Sequence, residues 1–128
     1  MAVTTPYNPF APRSIEARIS EILIKLEFSM ICSGFDYLCM AIAETYNDPS
    51  AAEYVTKTLV PRVAKRCGKD AASVHRAMAR SIDQMERIKN PKTMRIYLGS
   101  EDAPINILSI VKGVANFMQL EDKGEVIR

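Results

Sequence analysis

The sequence predicts an all-α fold, a compact bundle of six or seven helices containing a helix-turn-helix. Apolar residues recur at helical spacing along most of the chain, no segment sustains the alternation of a strand, and Pro, Gly, Asp and Asn punctuate the periodic stretches where helices should begin and end. The 128 residues suit one domain, large enough to bury a core without disulfides or metals. Its expected limits are 14–122, between a flexible arm at 1–13 and a tail at 123–128. Pro6, Pro9 and Pro12 leave the arm no regular period.

Ser14 is placed to cap a first helix whose Ile15, Ile19, Ile22 and Leu26 share one face. After a connection at 28–33, a second helix puts Phe35, Leu38, Cys39, Ile42 and Tyr46 on one side, with Gly34 at its start and Asn47-Asp48 at its end. Asp48 before Pro49 marks the start of a third helix over about 49–58, because the carboxylate caps free amides and proline loses nothing at the first position. Pro61 opens a short helix that Gly68 ends. Asp70 caps a long helix over 71–88 with no Pro or Gly inside it. Asn90-Pro91 starts another that Gly99 ends, and Pro104 begins the last, with Ile105, Leu108, Val111, Ala115 and Met118 on its buried side.

Charge is segregated along this framework. Residues 57–95 hold eleven of the seventeen basic side chains and three of the fifteen acids, so that stretch carries +8 and the remainder −6. A net charge of +2 would not point to nucleic acid; its distribution does. Within the stretch, residues 61–88 read as helix, glycine turn and second helix, the pattern of a DNA-reading helix-turn-helix. At 100° per residue, Val74, Met78, Ser81, Ile82, Met85 and Ile88 form a core-facing stripe about 120° wide. Ser73, Arg76, Arg80 and Arg87 fall in an arc of about 60° on the other side, while His75 and Ala79 lie along the other edge of the exposed face.

A major groove accepts such a helix, and arginine can give two hydrogen bonds to guanine O6 and N7. Arg76 and Arg80 are therefore the candidates for base reading. Ser73 and His75, about one turn earlier, are expected to assist at base edges or phosphates. Lys65, Arg66 and Lys69 flank the turn, and Arg87, Lys89, Lys92 and Arg95 follow at the far end; these would meet phosphates and add affinity without sequence preference. Ala64 and Gly68 are spaced for a close helix crossing, with Val63, Cys67, Val74 and Ala77 as small apolar contacts between the two helices. The competing explanation for a basic helical face is ordinary solvated surface.

Cys32, Cys39 and Cys67 stand singly and odd in number, without zinc spacing, which implies a reduced, cytoplasmic setting. No apolar run reaches the ~18 residues of a membrane helix and no signal-peptide pattern is present, so neither membrane nor export is expected. No cofactor, metal or small-molecule substrate is expected either. There is no phosphate loop or ligand cluster, and no cysteine lies within motif spacing of His75, the single histidine.

From Ile19 to Asp122 the chain resembles the C-terminal DNA-binding effector domain of the stage-zero sporulation response regulator, the master regulator of endospore formation. The likeness is carried by residues 19–23, Gly34 with Tyr37 and Leu38, Ala41 and Ile42 with Tyr46, Asn47 and Asp48, and Thr56 and Lys57 leading to Pro61, Ala64 and Lys65. In the long helix it is carried by Ala71, Val74, Arg76, Ala77 and Ile82. It implies a six- or seven-helix domain that binds short double-stranded DNA boxes through its fifth helix, in tandem on adjacent boxes. Arg76 matches the family pattern, whereas His75 replaces a glutamate, Ala79 an arginine, and Arg80 a frequent histidine. Relatives usually carry a receiver domain, which a thirteen-residue arm cannot contain. The expectation is a regulator lacking one, either an isolated effector fragment or a stand-alone paralogue.

Two other classes fit a small helical chain. A histidine-phosphotransfer module would use an exposed His75, but such modules follow that histidine with lysine and glycine, where this chain has Arg76 and Ala77. A protein-interaction module would show no DNA affinity even at low salt.

Overall fold

The computed structural model describes residues 14–124. The expected arm at 1–13 and the last four residues of the tail lie outside them. Six α-helices follow one another: α1 (Ile15–Lys25), α2 (Ser33–Asn47), α3 (Val60–Cys67), α4 (Ala71–Ile88), α5 (Pro91–Leu98) and α6 (Ile107–Asp122). There is no strand among the described residues.

Capping side chains explain most of the boundaries. Ser14 Oγ accepts the Ala17 N–H at 3.1 Å, Asp70 accepts that of Ser73 at 3.1 Å, and Asn90 accepts that of Lys92 at 2.9 Å. Gly68 ends α3 at φ 66°, ψ 33°, where the Lys69 N–H reaches back to the Ala64 carbonyl at 2.9 Å. That left-handed conformation is what requires glycine here.

Two helix starts differ from expectation. The single helix foreseen at 49–58 is instead a 3-10 helix, Pro49–Glu53, and a π turn, Val55–Leu59, separated by Tyr54 at φ −129°, ψ 88° and running directly into α3. Proline at 61 offers no N–H and its ring excludes the carbonyl four residues back, so the turn before it cannot be regular α. The chain widens, with the Leu59 and Val60 N–H groups reaching the Tyr54 and Val55 carbonyls five residues earlier. At the other end Pro104 does not begin α6. Asn106 does, its side chain accepting the Ser109 N–H at 2.8 Å. The later start turns Leu108 outward to 40% exposure and buries Ile107 and Ile110, while Val111, Ala115 and Met118 are buried as expected and Ile105 is partly so.

The central element is α2, which packs against α1, α3, α4 and α6. Its buried Phe35, Leu38 and Ile42 belong to one core with Ile19, Leu23 and Leu26 of α1, Val74, Met78 and Met85 of α4, and Ile110, Val114 and Met118 of α6. Ile88, expected in that stripe, is 62% exposed because it stands at the helix end. Tyr97 meets Phe117 edge-on, with centroids 4.8 Å apart, and fastens α5 to α6.

The close crossing expected at Ala64 and Gly68 lies elsewhere. A Cβ on Gly68 would meet nothing within 4 Å, whereas one on Gly34 would overlap the Ala77 carbonyl oxygen and the Ser81 hydroxyl of α4. Gly34 thus lets the start of α2 press directly on the middle of α4. Cys67 meets α2, its thiol 3.2 Å from the Met40 sulfur.

A polar clasp closes the bundle. Arg18 of α1 bonds Glu121 at 2.9 Å and Asp122 at 2.8 Å, Tyr46 donates to Asp122, and Gln119 donates to the Tyr46 carbonyl at 2.6 Å. Tyr46 is therefore half-buried at the rim rather than in the core. Its hydroxyl and Arg18 hold the Asp122 carboxyl below its ordinary value.

Gly34→Ala should destabilise the fold by about 1–3 kcal/mol in urea unfolding, because backbone at Ala77 must yield and this outweighs the helix propensity gained. Asp122→Asn should cost less than ~1 kcal/mol at neutral pH, since the clasp is partly exposed. A carboxylate with a depressed folded pKa stabilises above its unfolded value and loses that effect as pH falls through the folded one. The gap between variant and wild type should therefore close in acid, below 3.8, when thermal unfolding is followed against pH.

Candidate nucleic-acid interface

Helix α4 runs for 18 residues between Asp70 and Lys89, with Val74, Met78, Ser81, Ile82 and Met85 buried. The boundaries agree with the sequence expectation to the residue. Its seat is built by α2 beneath, by Gly34, and by α3 across the Gly68 turn. The outward side presents Ser73, Arg76, Arg80 and Arg87, all exposed.

The basic side chains separate into two groups. Lys65, Lys69, Arg80, Arg87, Lys89 and Lys92 make no ion pair among the described residues, so their charges face solvent uncompensated. Arg66 differs. Its guanidinium turns to Glu44 of α2 at 3.0 Å, and it borders a groove between α1 and α2 with Asp36, Cys39 and Asn47. Arg62, four residues earlier, bonds Asp48 at 3.1 Å. Arg95 pairs with Glu101. The two acids closing α2 therefore hold the arginines on one flank of α3, while Lys65 stays free.

The first turn of α4 is ordered by its own side chains. Asp70 Oδ2 accepts both the backbone N–H of Ser73 and its hydroxyl, the latter at 3.2 Å, and Arg76 Nη2 donates to the same hydroxyl at 3.2 Å. The capping role of Asp70 was legible, but its reach through Ser73 to Arg76 was not.

His75 stands apart from the arginines. It is half-buried and lines a groove of about 460 Å³ with Ala79 and Asp83 of α4, Val55, and residues 105–108 before and at the start of α6. Asp83, which the sequence reading passed over, is exposed one turn beyond Arg80, and Glu86 follows, so the second half of the outward face carries mixed charge. The arrangement offers phosphate and base-edge acceptors a set of free donors concentrated on the Gly68 turn and the first half of α4.

No group of three or more His, Cys, Asp or Glu side chains comes together among the described residues. Burial, partly opposed by a contact with Ser20, pushes the Cys39 thiol up to about 11, which keeps it protonated and a poor nucleophile. No helix among the described residues is long and apolar enough to cross a membrane.

Comparison with known families identifies the domain. The family described as "Sporulation initiation factor Spo0A C terminal" matches residues 19–107, a span that runs from α1 through the α3–turn–α4 unit to the first residue of α6. It is a family of helical DNA-binding effector domains of response regulators that act in sporulation and transcription regulation, and not a family of enzymes. With more than half its length matched and the same all-helical build, the chain belongs to the Spo0A C-terminal family of sporulation DNA-binding effector domains.

Proposed function

We propose that this chain is a sequence-specific double-stranded DNA-binding regulator of transcription that acts in the cytoplasm by laying α4 in the major groove. The observation that carries this is the outward face of the first half of α4. Arg76 and Arg80 project there without acidic partners, on a helix whose position is set by the core below it. Each guanidinium can give the paired donors that guanine O6 and N7 accept. His75 assists from the edge of the face and, half-buried as it is, reaches only a base or sugar lying toward the α6 side of the groove.

Lys65 and Lys69 beside the turn, and Arg87, Lys89 and Lys92 at the far end, bind phosphates. Arg66 joins them only by leaving Glu44, an exchange of one exposed ion pair for another that costs about 0–1 kcal/mol. Two copies occupy adjacent boxes in tandem.

Selection of bound sequences from a random duplex pool, followed by salt titration on the enriched sequence, tests the proposal. A defined box should emerge, its occupancy giving the number of copies. The logarithm of affinity should fall with that of salt by roughly 0.9 for each phosphate neutralised. No affinity even at low salt would mark a protein-interaction module instead. Arg76→Ala should lose about 1–3 kcal/mol at one base pair and relax preference there, while Lys69→Ala weakens specific and random duplexes about equally. Equal losses on both duplexes for both variants would remove the base-reading assignment.

A further inference from the structure

Building on the DNA-binding reading above, we infer that Ser73 acts on DNA through Arg76, as a positioning residue that fixes the arginine, and does not itself donate to a base. A serine hydroxyl has one proton to give and two lone pairs to receive with. The proton is engaged: an ionised carboxylate only accepts, so Ser73 Oγ donates to Asp70 Oδ2 across 3.2 Å. One lone pair is engaged as well, by Arg76 Nη2 at 3.2 Å. The hydroxyl has no hydrogen left for guanine N7 or O6, which are acceptors.

The geometry is favourable for the arginine. Helical side chains lean toward the N-terminus, so the Arg76 guanidinium lies over the turn that holds Ser73, at the end of α4 that enters a groove first. Of the five N–H groups on a guanidinium one is bound to Ser73, which leaves enough for a two-bond fork on guanine. Carboxylate, hydroxyl and guanidinium form a charge-assisted chain along one helical turn. A long side chain with many rotamers is thereby held near one of them before DNA arrives, so less freedom is lost on binding. Arg80 makes no hydrogen bond or ion pair to another residue among the described residues, which makes Arg76 the more stringent reader of the two.

The test is a double-mutant cycle scored on discrimination between the selected box and the same box changed at the base pair that Arg76→Ala identifies. Ser73→Ala keeps the backbone N–H that Asp70 caps, so its thermal unfolding should stay close to wild type. It should lower discrimination at that base pair by about three- to tenfold and leave affinity for random duplex within about twofold. Ser73→Thr, which keeps a hydroxyl, should restore it. In an Arg76→Ala background, Ser73→Ala should have no further effect there. An equal loss with and without Arg76 would show Ser73 reading the base itself, and no loss at all would show that the chain does not position the arginine; either overturns the inference while DNA binding stands. A wild-type chain that selects no box overturns the DNA-binding reading, and this role with it.

Discussion

The approach of α2 to α4 at Gly34 governs the rest of the molecule. A core of methyl and thioether groups is non-directional and would tolerate α4 at a range of heights and rotations. Backbone lying against backbone does not. With no side chain at 34, the start of α2 reaches the Ala77 carbonyl and the Ser81 hydroxyl, and the buried stripe of α4 is thereby fixed in rotation about its own axis. Since the stripe and the arginine face are opposite sides of one cylinder, fixing the first aims the second. The arginine face owes its direction to a contact on the far side of the helix.

Electrostatics then sorts what the core has aimed. Exposed ion pairs contribute little to stability, so the pairs of Glu44 and Asp48 with Arg66 and Arg62 matter less for holding α3 than for deciding which cations remain uncompensated. On the turn side of α3 neither Lys65 nor Lys69 forms an ion pair among the described residues, and on the first half of α4 no acid pairs with Arg80. The segregation of charge along the chain thus becomes a segregation across the surface, with the boundary running along α3.

What could be read from the sequence follows from how local each determinant is. Helix α4 was legible to the residue because its cap, its unbroken length and its apolar stripe all lie within the segment itself. So was the Gly68 turn, although its glycine serves a left-handed backbone and not the close packing expected of it. The stretch before α3 was not legible: Asp48 and Pro49 do start a helical turn, but the demand that Pro61 places on the preceding backbone shows only in the widened turn it produces. A helix opening at Pro104 would place Leu108 in the core, and the nearer Asn106 cap shifts the start by three residues. Partners far apart in sequence, such as Glu44 for Arg66 or Arg18 for Asp122, carry no local mark at all.

The length of α4 has a further consequence. From Ser73 to Arg87 its outward face extends about 21 Å, at a rise of 1.5 Å per residue. A major groove is about 12 Å wide and winds around the duplex, so a straight rod can follow its floor only briefly before the groove curves away. In the docking proposed above, with the rod entering by its first turn, Arg87 would ride up over the wall of the groove, although it shares the same sixty-degree arc as Arg76 and Arg80. Asp83, between the two ends, would stand where the rod begins to leave the floor, and its carboxylate would then limit how far along the helix a polyanion lies. In that docking, curvature would cut three arginines on one line into two that probe sequence and one that only grips.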